Sequence, residues 1–406
     1  MRFRILFLCL AILLLCPAAH AEGPPGDLNG DWRVDTADLR LLAHQWLTEP
    51  PGPADLNRDG RVDGIDLALL ARQWGRKDCP IVINEVFPHA HGEASDWIEL
   101  HNLGTAPVHL GGWFLSDTKN DLQRYQIAAG TTIGPREYLV LYEITHFGNP
   151  FDPGTRRLFA FSENGETACL YSGNDPVYPN TLIAQPFGAS ETGSSFGRYR
   201  TSLGTCLFVT MSEPTPGAAN AYPRVGPVVI HEIMYHPAGN ADAEYVELLN
   251  VSGAFLTLFD FTALEPWRLT DDAGVNVRLA AEEPVTLAPG EILLLVRDQA
   301  AMRQYDVPAP ARVLSWSSGR LSNRGGTLRL LKPGDVDTRG TRYWIEVDRV
   351  DYSDGSHGQD FPGGVDPWPV QPDGYGFSLG RRHPTRFGND PNNWRVTLPT
   401  PGWLDD

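Results

Sequence analysis

The chain has 406 residues, a formal charge of −17 at pH 7 and 42% hydrophobic residues. That length allows two to four domains and that apolar content supports real cores, whereas the acidic balance argues against a nucleic acid as general partner, which needs a basic face. Gly 41 and Pro 34 against Lys+Arg 33 favour short strands joined by many turns over long helices.

Arg2 and Arg4 precede an apolar stretch from Ile5 to Cys16 and then Ala19-His20-Ala21. This is the pattern of a secretory signal over residues 1–21, with a small-x-small cleavage site. The apolar stretch is too short to span a bilayer, and no later segment reads as transmembrane. A secreted chain, extracellular or at a cell surface, is expected. Cys9 and Cys16 leave with the signal; Cys79, Cys169 and Cys206 remain. Cys169 with Cys206 is the expected pair if a disulfide forms in an oxidising compartment.

Residues 27–74 contain one twenty-residue unit twice, 28 residues apart. Asp27, Asn29, Asp31, Asp35 and Asp38 stand at loop positions one, three, five, nine and twelve. Asp55, Asn57, Asp59, Asp63 and Asp66 repeat them. This is the spacing of a calcium loop, with Arg33 and Arg61 at position seven offering backbone carbonyls. A hard cation takes carboxylate and amide oxygens, not His or Cys. Each loop runs into a short amphipathic helix, with Leu39, Leu42 and Trp46, then Leu67, Leu70 and Trp74, at i, i+3 and i+7. Position six is Gly60 in the second loop, as a sharp turn wants. In the first it is Trp32, whose Cβ disfavours positive φ, so a weaker or differently shaped first site is expected.

No helix-length segment precedes either loop, and position twelve is Asp, not Glu. The combination resembles a type I dockerin, here residues 22–78. The resemblance implies two bound Ca²⁺ ions and docking to a cohesin-type domain or cell-surface scaffold. Positions ten and eleven, where cohesin contacts often sit, are Thr36-Ala37 and Gly64-Ile65, which leaves partner specificity open. From Glu22 to Asp78 there are 11 acids and 7 bases, an excess that two Ca²⁺ would cancel.

Gly75 to Pro80 reads as a short hinge. Beyond it, short β-branched and aromatic runs alternate with Gly, Pro and Asn, the mark of a β-sandwich or barrel. The series occurs twice. Ile83-Asn84-Glu85-Val86 returns as Ile230-His231-Glu232-Ile233, and Asp96-Trp97-Ile98-Glu99-Leu100-His101-Asn102 as Glu244-Tyr245-Val246-Glu247-Leu248-Leu249-Asn250. Trp113-Phe114-Leu115-Ser116-Asp117 returns as Trp267-Arg268-Leu269-Thr270-Asp271, and Pro214-Thr215-Pro216-Gly217 as Pro399-Thr400-Pro401-Gly402. These copies resemble the lamin-tail domain, also found on bacterial secreted proteins. The resemblance implies two tandem immunoglobulin-like sandwiches, residues 80–221 and 226–404, the second with a C-terminal extension. The expected fold class is mainly β: these two sandwiches plus the small α-helical calcium-loop module.

Catalytic patterns are weak. His231 and His236 are at i and i+5, not the i, i+4 of a metalloprotease helix. Glu85 and Glu99, with their counterparts Glu232 and Glu247, could do acid/base chemistry only in a cleft; the lamin-tail resemblance implies that they brace loops. His89, His91, Glu93 and Asp96 could form a metal cluster, but a solvated turn is the better reading. Trp113, Trp267, Trp368 and Trp394 read as core before sugar platforms. The expected function is a secreted, non-catalytic calcium-binding interaction protein. A hydrolase or accessory component of an extracellular polysaccharide- or phosphoester-degrading system is one alternative, and a lectin-like glycan binder another.

Overall fold

The computed structural model describes residues 23–48, 50–90, 94–280, 283–309, 311–361 and 364–404. The signal segment lies outside them. The chain divides into two compact units between Pro80 and Ile81.

The first unit is built on helices α1 (Thr36–His44) and α2 (Gly64–Arg72). Asp35 and Asp63 cap their N-termini, and Asp38 and Asp66 complete reciprocal capping boxes. Such caps satisfy N–H groups that a helix start leaves unpaired. Val34, Leu42, Ala54, Val62 and Leu70 form the core, with Leu28 and Leu56 against it. The duplication closes on itself. The side-chain Oε1 of Gln45 accepts from Ala54 N at 3.1 Å, and that of Gln73 accepts from Gly26 N at 3.1 Å. Leu47 N donates to Val62 O and Gly75 N to Val34 O. Each helix end thus ties down the other half.

Two expectations change here. The apolar stripe is only partly buried: Leu42 and Leu70 enter the core, while Trp46, Leu67 and Trp74 stay 40%, 38% and 49% exposed. Both helices stop before their Trp, and helices of nine residues packed in one small core bury a narrow stripe. Nor is the stretch after Gly75 a free hinge. Val34 N donates to Arg76 O and Asp78 N to Trp32 O, a bridge that pairs Arg33 with Lys77.

The second unit contains two sandwiches of like order. In the first, a sheet of five strands runs Cys206–Thr210, Phe196–Arg200, Ile81–Phe87, Trp97–Asn102, Tyr138–Tyr142. It packs on a sheet of four: Tyr125–Gln126, Phe114–Ser116, Glu166–Tyr171, Leu182–Phe187. In the second, the larger sheet runs Arg312–Ser315, Ile292–Val296, Tyr245–Asn250, Val228–Met234, Ser378–Arg381, Trp394–Thr397. The smaller runs Asn276–Arg278, Arg268–Thr270, Gly325–Val336, Arg342–Ser353. The second copy adds the edge strand Arg312–Ser315 and the hairpin Phe259–Asp260/Glu265–Pro266. Each copy has a register shift in its first strand, between Ile83 and Glu85 and between Ile230 and Glu232. Trp113, Trp267, Trp368 and Trp394 are all buried, and His231 lies within a fully buried strand. The Cys169–Cys206 disulfide does not form. Cys169 is a buried free thiol in the smaller sheet, whereas Cys206 opens the outer strand of the larger one.

Candidate metal centre

The acidic side chains of the two loops organise backbone. Asp27 Oδ1 accepts from Gly30 N at 2.8 Å and Asp31 N at 3.1 Å, and its Oδ2 from Trp32 N at 2.7 Å. Asp55 accepts from Asp59 N at 3.2 Å and Gly60 N at 2.9 Å. At position twelve the copies coincide. Asp38 Oδ1 accepts from Leu28 N at 2.7 Å and Asn29 N at 3.2 Å, and Oδ2 from Asp35 N at 2.8 Å. Asp66 makes the same bonds to Leu56 N, Asn57 N and Asp63 N at 2.7, 3.2 and 2.8 Å. Both side chains are fully buried. Asp31 and Asp59 each hold the position-seven amide, of Arg33 and Arg61, at 3.0 Å. Asn29 and Asn57 accept from the Asp31 and Asp59 amides. Asp35 and Asp63 accept from Ala37 N and Ile65 N.

Trp32 does not reshape the first loop. It takes φ +67°, the left-handed region that Gly60 takes at +91°, and its amide makes the equivalent bond to position one. The copies instead exchange their glycines. At position four Gly30 has φ +75° and Arg58 +59°. Trp32 bears about 1–2 kcal/mol of backbone strain and offsets it by being 5% exposed. Burial pushes the Asp27 carboxyl up, against the amide bonds from Trp32, Gly30 and Asp31, and the charge of Asp31 adds to the rise.

The donors are oxygens throughout, which fits a hard divalent cation. The loops do not gather their carboxylates fully: no three of them bring oxygens within 4.8 Å of one another. Among the described residues the group that does is Asp354, His357 and Asp366. It was not singled out in the sequence, where the signal was an acid three residues before a His and a second acid nine residues after it.

The other candidates fall to structural roles. His89 ring nitrogens lie 3.4 Å from Ser190 O and 3.0 Å from Thr192 Oγ1, and Asp96 receives Ala90 N at 3.3 Å. His91 and Glu93 lie outside the described residues. The four glutamates form clamps. Glu85 Oε2 accepts the Thr215 hydroxyl at 2.9 Å, and Glu99 accepts Asn84 Nδ2 at 2.7 Å and Gly217 N at 2.5 Å. Glu232 accepts the hydroxyls of Tyr245, Ser378 and Thr400 at 2.5, 2.5 and 2.9 Å, and Glu247 accepts Gly402 N at 2.6 Å. Each pair thus holds the Pro-Thr-Pro-Gly segment of its own copy. Burial lifts the Glu99 carboxyl to about 7, against bonds from Asn84 and Gly217 and helped by the Glu85 charge.

Residues 25–74 match the Dockerin type I domain family, and residues 76–178 match the Lamin Tail Domain family. The chain therefore carries a type I dockerin followed by a lamin tail domain, both non-catalytic types of module. Type I dockerins bind calcium, imply a cohesin partner and occur in extracellular proteins. No helix among the described residues is long and apolar enough to cross a membrane. No curated protein matches the chain. A crystal structure of a DUF4876 family protein from Bacteroides thetaiotaomicron aligns over 79% of this chain and 96% of its own, at 11% identity and TM-score 0.30, a likeness too low to support an argument.

Proposed function

We propose that the protein is a secreted, non-catalytic adaptor: its dockerin docks to a cohesin-type partner, and its two sandwiches serve as spacer or binding domains. The observation that carries this is the pair of acidic loops in which position-twelve carboxylates hold matching backbone amides at matching distances. Each loop would hold one Ca²⁺. Asp27, Asn29, Asp31, Asp35, Asp38 and the Arg33 carbonyl would serve the first, and Asp55, Asn57, Asp59, Asp63, Asp66 and the Arg61 carbonyl the second. The bridge beside Arg33 uses the neighbouring carbonyls of Trp32 and Arg76 and leaves that of Arg33 out. The ion offsets the mutual repulsion of four aspartates per loop and draws them inward, which fixes the helix starts. Exposed Trp46, Leu67 and Trp74 then lie on elements whose positions depend on the ions.

The second sandwich is proposed as a further lamin-tail copy, because strand order, register shift and glutamate clamp all repeat. The clamps also count against acid/base chemistry at Glu85, Glu99, Glu232 and Glu247, since each has an oxygen engaged by its closing segment. Calorimetric titration tests the calcium count; uptake of two ions per chain is expected, and none would overturn the reading. Surface binding to a panel of cohesin domains, with calcium and with chelator, tests the partner. A glycan array and a screen for turnover of polysaccharides and phosphoesters separate the lectin and hydrolase alternatives.

A further inference from the structure

We propose that the second sandwich holds a metal site of its own, in which Asp354, His357 and Asp366 bind a divalent transition-metal ion of the zinc or manganese kind. The three residues sit on the crossover between strands Arg342–Ser353 and Ser378–Arg381. In the first sandwich the matching crossover, between Leu182–Phe187 and Phe196–Arg200, is eight residues, 188–195; here it is 24, 354–377. The longer segment brings four Asp and one His and no Lys or Arg. One ligand atom from each of Asp354, His357 and Asp366 lies within 4.8 Å of the other two.

The arrangement is built. His357 Nδ1 lies 3.1 Å from Asp354 Oδ1 and 3.5 Å from Ser353 Oγ. Asp366 Oδ2 accepts the Ser353 hydroxyl at 2.6 Å and His357 N at 3.0 Å, and its Oδ1 accepts Trp368 N at 2.9 Å. The backbone turns so tightly that a Cβ on Gly355, at φ +84°, would meet Val370 Cγ1 at 2.5 Å and Trp368 O at 2.8 Å.

A second observation points to a ligand. Tyr235 is fully buried and its hydroxyl has no hydrogen-bond partner among the described residues. Its ring packs 5.0 Å from that of Tyr352, the neighbour of Ser353, and burial, with the charges of Asp373, Asp354 and Asp366, keeps its hydroxyl protonated. Three protein donors leave a coordination position for water, as at open zinc sites. One imidazole nitrogen with two carboxylates suits zinc, manganese or iron and not calcium, which prefers oxygen alone. Bonds of about 2 Å ask the ligand atoms to close in by under about 1 Å.

The test uses the full-length mature chain without an affinity tag, in excess calcium so that the dockerin loops are saturated. Co²⁺ is added and followed by visible absorption, then displaced with Zn²⁺. One equivalent of Co²⁺ is expected, and His357→Ala and Asp366→Asn should each weaken uptake by roughly tenfold or more. Because Asp366 also holds backbone, circular dichroism melts without metal check folding, and Zn²⁺ should raise the melting temperature of the wild type but not of His357→Ala. No uptake at micromolar Co²⁺, or uptake unchanged in both variants, overturns the proposal. Neither result bears on the calcium loops, which are filled throughout.

Discussion

Asp66 in the dockerin and Glu232 in the second sandwich are both buried carboxylates that hold irregular backbone, yet they keep different company. Asp66 sits in a loop with three further aspartates and gathers only amide donors. Glu232 meets three hydroxyls and closes a Pro-Thr-Pro-Gly segment against a core of Val, Leu and Trp side chains. The first arrangement concentrates charge, which a bound cation would offset. The second disperses a single charge over hydroxyl donors, with apolar packing beside it. What a buried carboxylate can do is therefore set by its neighbours, not by its own type.

The largest effect that could break this contrast is chelation. Removing calcium should unfold residues 27–74 and leave the sandwiches intact, since each ion at a hundredfold excess over its Kd contributes about 2.7 kcal/mol. Calorimetric scans with and without chelator should lose one transition only; an unchanged profile, or loss of both, breaks the contrast.

Single substitutions sharpen it. Asp66→Ala removes the acceptor of three part-buried backbone amides, at about 1 kcal/mol each, and should abolish calcium uptake at the second loop. Glu232→Ala strands three hydroxyls at a similar cost of about 3 kcal/mol, but that cost should be the same with or without calcium. Denaturant titrations in both conditions measure this, and a calcium-dependent cost for Glu232→Ala would break the distinction.

Acid should move the two regions in opposite directions. Burial lifts Glu99 to about 7, Glu166 to about 7 and Asp96 to about 6. In the unfolded chain these carboxyls titrate near their ordinary values of 4.5, 4.5 and 3.8. The folded first sandwich therefore keeps protons that the unfolded chain has released. This contribution is complete below the ordinary values and is lost as pH rises through 6 to 7. Calcium ligands must be ionised, so the dockerin weakens as pH falls. With calcium present, melts at pH 5 and pH 8 should show the sandwich transition higher, and the dockerin transition lower, at pH 5.

The smallest effect concerns the exchanged glycines. Gly60 has open space where a Cβ would stand, so Gly60→Ala should cost only the left-handed backbone strain, about 1 kcal/mol. Trp32 already bears that strain at the same position of the first loop. A drop in melting temperature much larger than that strain implies would mean that the loops are not equivalent.

The sequence by itself determined the local chemistry. Alternating acids and amides at fixed spacing specify an oxygen-lined loop, and Gly/Pro-punctuated β-branched runs specify short strands, because both depend on neighbours in the chain. The repeat carried strand order from one copy to the other for the same reason. Which faces are covered was decided by tertiary structure. Trp46 and Trp74 fit the helical period, but each helix stops before its Trp and the small core closes without it. The pairing of Glu85 with Thr215 and of Glu232 with Thr400, and the gathering of Asp354, His357 and Asp366, bring together residues from separate segments. Their meeting depends on how sheets close and how long a crossover runs, and side-chain order along the chain does not encode that distance.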